Sequence, residues 1–193
     1  MLHTRLKERT AVMHAKLHEH ALLQPIQDNQ LNISYYRAIL SAFYAYYLQY
    51  EPQEITTYGY HAPNAPVLKW IEKDRYFKHI YSPVMTQKSP KLETFEDSIA
   101  YLYVKQGSTL GGQFISKELA KQLGLIGGED QFFFYGYYKE TALQWRSFME
   151  FLSMVEDNIN IQQTTQKACD LFSYLGHILT CSYETMEYHD GIK

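Results

Sequence analysis

From Leu92 to Leu123 the chain holds the period of a helix for about nine turns, with Phe95, Ile99, Leu102, Leu110, Phe114 and Leu119 as apolar members and Gly107, Gly111 and Gly112 standing inside it. A helix of that length must bury its apolar stripe against other elements, and the rest of the chain supplies only helices. Residues 4–23 place Leu6, Thr10, Met13 and Leu17 on one helix face. Asn32 or Ser34 caps a second helix through about Gln49, stopped by Pro52. Val67, Leu68, Ile71, Tyr76 and Ile80 predict one or two short helices before Pro83. Gly124 and Gly127-Gly128 end the glycine-bearing helix. The aromatic knot Phe132-Phe133-Phe134-Tyr135-Gly136 follows, then a helix to about Val155 and a last one from about Ile161 to Tyr188. Tyr58–Pro66 and residues 84–91 read as connections. No run alternates long enough for a strand, so the expected fold is an all-α bundle, one domain over residues 1–193.

Charge excludes one class of partner. With 20% charged residues and a net charge of −3, the chain lacks the basic footprint of a nucleic-acid binder. Residues Leu2 to Arg9 are too polar for a signal peptide and no later run reaches transmembrane length. The expectation is a cytoplasmic protein without stable membrane insertion. Cys169 and Cys181 fall on different sides of one predicted helix, which argues against a disulfide between them.

Aromatics reach 16%, with eighteen tyrosines. The plain explanation is a well-filled helical core with hydroxyls at its rim; the excess leaves room for a large planar ligand.

Two places carry chemistry. His14 lies on the rim of the first helix's apolar stripe, beside Lys7, Ala11 and His18. A histidine there is more often a packing residue than a ligand, although His14 and His18, one turn apart, also have the spacing of a chelating pair. The glycines are harder to dismiss, since each costs about 1 kcal/mol against alanine inside a helix. Gly107 and Gly111, with Ser108 and Gly112 as the next such pair, leave a face nearly bare of side chains. Such a face admits either a flat ligand or a closely packed neighbour helix.

These residues resemble the haem oxygenases, and among them the bacterial members that serve phytochromes. The resemblance rests on Lys7-Glu8-Arg9-Thr10-Ala11-Val12-Met13-His14, on Gly107-Ser108-Thr109-Leu110-Gly111-Gly112-Gln113, and on Phe133-Phe134-Tyr135-Gly136-Tyr137 followed by Thr141 and Trp145-Arg146. The three motifs stand in family order over residues 4 to about 155.

The resemblance implies haem held between the first helix and a kinked glycine-containing one. It implies His14 as axial iron ligand, Lys7 and Arg146 toward the propionates, and Thr10 lining the proximal side. It also implies Gly107, Ser108, Gly111 and Gly112 as the distal, catalytic wall. The implied activity is opening of haem, both substrate and cofactor, to biliverdin with release of CO and iron. It draws on O2 and an electron donor such as a ferredoxin or flavoprotein reductase. Two positions depart from the pattern. Ser108 stands where animal members carry an aspartate that orders water, so water would be held there by hydroxyls alone. His18 stands where relatives usually carry a carboxylate. Three other readings compete: a haem carrier or sensor on the same fold, a helical interaction module without cofactor, and a di-iron oxidase. The last expects Glu-x-x-His pairs, and no glutamate in the chain has a histidine three residues later.

Overall fold

The computed structural model describes residues 1–51, 62 and 64–191. They form seven α-helices: α1 (Leu2–His18), α2 (Gln24–Gln27), α3 (Ile33–Tyr50), α4 (Val67–Lys73), α5 (Phe95–Leu123), α6 (Thr141–Val155) and α7 (Ile161–His189). Three short 3-10 turns join them, and one isolated bridge, Gly127 with Gln131, is the only β pairing among the described residues. Most of the predicted loop Tyr58–Pro66 lies outside those residues. No described helix is long and apolar enough to cross a membrane.

Local chemistry sets the boundaries. Asn32 caps α3 by accepting the Tyr35 amide at 3.0 Å. Thr94 and Asp97 close a capping box on α5, and Gly124 ends that helix with φ +69°, a conformation glycine adopts without strain. α5 runs unbroken through its three glycines. The first helix is shorter than the predicted 4–23, because His20 turns the chain. Its Nδ1 accepts the Leu22 amide at 3.0 Å and its Nε2 meets Thr180 Oγ1 at 3.1 Å, after which Pro25 opens α2.

α1, α5 and α7 run in one direction. Cys169 Sγ donates to the Arg9 carbonyl, Ser173 Oγ to Met13 Sδ, and Thr180 meets His20, each pair 160 residues apart. Thr94 pairs with Gln163, Asp97 with Lys167 and Tyr103 with Phe172 in the same sense between α5 and α7. α3 runs opposite to α7, with Tyr35 against Tyr183 and Tyr50 against Tyr174.

The tyrosines fill the core itself. Tyr36, Tyr46, Tyr47, Tyr50 and Tyr101 are wholly buried, which corrects the expectation of hydroxyls at the rim. Burial is tolerated where the hydroxyl finds an acceptor: Tyr36 donates to Asp74 at 2.7 Å and Tyr101 to Glu51 at 2.7 Å. Tyr46 and Tyr50 hydroxyls have no described partner. Both cysteines are free thiols.

Candidate functional site

The site begins where α1 meets α5. Thr10 is buried and donates its hydroxyl to the Leu6 carbonyl at 2.8 Å, leaving its oxygen to bond Tyr103 of α5. One turn further along each parallel helix stand His14 and Gly107. At about 100° per residue, Tyr103, Gly107, Leu110 and Phe114 share one face of α5. Beyond Tyr103 that face is open: a Cβ added at Gly107 or at Gly111 would meet nothing within 4 Å. Leu110 and Phe114 are 42% and 53% exposed. Among the described residues, therefore, these two glycines do not serve helix-to-helix packing.

Gly112 differs. It is buried, and a Cβ there would lie 3.1 Å from the Phe134 carbonyl oxygen. This glycine lets α5 approach the main chain of the aromatic knot, on the side away from Tyr103. The knot is tied from behind. Asp74 accepts the Phe132 amide at 3.2 Å, Gln113 Nε2 donates to the Tyr135 carbonyl at 2.9 Å, and Phe133 and Phe134 pack on Phe43.

Ser108 also turns to the back of α5. Its hydroxyl donates to the Lys105 carbonyl at 2.7 Å and meets the Tyr47 hydroxyl of α3 at 2.6 Å. Burial pushes the Tyr47 phenol well above its ordinary range. With its proton on Lys105, Ser108 accepts from Tyr47. Next to this pair Lys105, with no exposed surface, bonds Glu51 and Asn64. Desolvation lowers the Lys105 pKa, while the Glu51 carboxylate acts to raise it. Lys105, Glu51 and Tyr47 escape sequence reasoning, because nothing local links positions 51 and 105. Tyr103 carries a signal that was available, the helical spacing to Gly107.

His14 is exposed on one side and backed on the other by Phe172 of α7, ring centres 5.8 Å apart and planes at 90°. That removal of water, with the neighbouring His18, holds His14 below its ordinary pKa. A neutral imidazole at neutral pH has a lone pair to give. Lys7 and Arg146 are exposed and make no ion pair with the described residues. Their helices are joined at one end by the edge contact of His3 with Trp145, 5.9 Å between rings. The donor set suits haem: a neutral imidazole, two uncommitted cations, and a bare helix face with apolar side chains left in solvent.

A family model described as Heme oxygenase matches residues 69–179. The chain belongs to the haem oxygenase family. The match spans more than half of the 193 residues and takes in α5, α6 and most of α7. It thus contains the glycine-bearing wall and Arg146, and begins after α1 with Lys7, Thr10 and His14. Among curated proteins and among solved structures nothing matches this haem oxygenase family member.

Proposed function

We propose that this protein, a single domain over residues 1–193, opens haem oxidatively to biliverdin with release of CO and ferrous iron. O2 is the oxidant, and a ferredoxin or flavoprotein reductase supplies electrons. The observation that carries the reading is the open strip at Gly107 and Gly111, level with a neutral His14.

Bound haem supplies both the oxygen activation and the carbon skeleton that is oxidised. The chain's own residues do the rest. His14 would give its lone pair to the iron, with Phe172 packed against the ring and Thr10 one turn earlier on the same helix. Lys7 and Arg146 would hold the propionates, and exposed, long cationic side chains suit carboxylates that remain partly in water. Gly107 and Gly111 would leave the α5 wall facing the ring free of side chains. Ser108 offers an oxygen held between Lys105 and Tyr47, a hydroxyl station behind the glycine strip. The cytoplasm as its location completes the proposal.

A second reading has an observation in its favour. The Ser108 hydroxyl is already engaged by Tyr47 and the Lys105 carbonyl, which favours a haem carrier or sensor that turns over slowly.

One experiment separates them. Ferric haem is added to the protein, then a reductant in air with catalase present, and the spectrum is followed. Loss of the Soret band with rise of biliverdin absorbance supports the oxygenase. A persistent oxy or ferric spectrum with several competent donors leaves the carrier. His14→Ala is expected to lose the native axial ligation; unchanged ferric and ferrous spectra would remove His14 from the role.

A further inference from the structure

His18, the last of the three histidines of α1, has no ligand role in the haem reading. His14 and His18 stand one turn apart with ring centres 4.7 Å apart and planes at 69°. Both are exposed, and neither imidazole is hydrogen-bonded to another described residue. Phe172 packs edge-on against the His14 ring, 5.8 Å between centres.

The spacing can be compared with what one metal ion requires. Zinc binds imidazole nitrogen at about 2.0–2.1 Å, so with a ring radius of about 1.1 Å it sits about 3.2 Å from each ring centre. At an angle of about 90–110° between the two nitrogens, the ring centres are then about 4.5–5.2 Å apart. The observed 4.7 Å falls inside that window. We infer that His14 and His18 form a binding site for a divalent transition-metal ion of the zinc type in the haem-free protein. Among the described residues no three side chains of histidine, cysteine, aspartate or glutamate gather to hold a metal, so water completes the shell. The site is accordingly an open one, weaker than a closed structural zinc site. Imidazole donors select late transition metals over calcium or magnesium.

The consequence is competition. An ion on His14 occupies the same lone pair that haem iron takes under the functional reading above, so zinc opposes haem loading. The zinc site itself does not depend on that reading.

The probe is Zn2+ titrated into haem-free protein, followed by calorimetry and by the imidazole 15N resonances. Wild type is expected to shift both His14 and His18 resonances at one equivalent. His14→Ala and His18→Ala should each lower affinity at least about a hundredfold, since losing a direct ligand costs no less than the roughly 10–100-fold that loss of an outer-shell partner costs at a metal site. Alanine favours the helix at these exposed positions, so both variants keep α1. Zinc affinity unchanged in His18→Ala, or shifts in only one of the two rings, overturns the proposal. Haem loading of wild type should weaken as zinc is raised, and that zinc dependence should vanish in His18→Ala whatever the variant's own haem affinity. A wild type that binds zinc through both histidines but never takes haem would sink the functional reading and leave this one standing.

Discussion

At the level of single residues, the three glycines of α5 separate into two kinds, and substitution tells them apart. Gly111 meets open space, so Gly111→Ala should raise the stability of the haem-free protein by about 0.5–1 kcal/mol. Gly111→Leu should depress haem affinity without destabilising the fold. Gly112 abuts the Phe134 carbonyl at 3.1 Å, and Gly112→Leu should cost about 1–3 kcal/mol by overpacking. Denaturant unfolding beside haem titration checks both; equal behaviour of the two positions would refute the division. Asp74 is a second residue with a definite signature. Desolvation pushes its carboxyl up to about 6, against the bonds from Tyr36 and the Phe132 amide that pull it down. A raised carboxyl pKa favours folding most below the unfolded value of about 3.9, and that contribution is lost as pH rises through about 6. Asp74→Asn should therefore remove a fall in stability between about pH 4 and pH 6, read from unfolding curves across that range.

Among elements, the turn at the end of α1 depends on a neutral His20, which accepts the Leu22 amide on Nδ1 and so carries its proton toward Thr180. Burial lowers its pKa, so its contribution is present at neutral pH and is lost as pH falls below the ordinary histidine value of about 6.5. His20→Ala should cost about 1–2 kcal/mol at pH 7 and much less at pH 5, the opposite trend to Asp74. A constant difference between wild type and His20→Ala across that range would exclude this titration. Elements of this kind were readable in the sequence to differing degrees. The start of α3 at Asn32, the stop of α5 at Gly124 and the extent of α7 follow from caps and periodicity, which act over a few residues. The early end of α1 does not, because Thr180, which helps hold His20 in the turn, lies 160 positions away. For the same reason His14 and the glycine strip were legible, whereas Phe172 behind His14, Tyr47 behind Ser108 and the buried Lys105–Glu51 pair were not. Periodicity reports which face of a helix turns inward and says nothing about which helix it will meet.

For the whole molecule, ligand and fold are linked by mass action: haem bound to the folded chain alone should raise the unfolding midpoint as haem is raised. That rise should shrink in His14→Ala and in Lys7→Ala with Arg146→Ala. A thermal shift equal in all variants would mean that haem binds elsewhere. The parallel alignment of α1 with α7 has a consequence for biosynthesis. α1 docks on a helix made much later, with Arg9, Met13 and His20 each waiting for a partner 160 residues downstream. During translation, therefore, α1 leaves the ribosome before its partner α7 exists, and its histidines face water or chaperones until α7 follows. A ribosome-arrested chain ending before Ile161 should take up haem without the spectrum of the finished protein. Extending the arrested chain by a linker until α7 clears the exit tunnel should restore that spectrum in one step, so the finished cofactor site waits on the docking of α7.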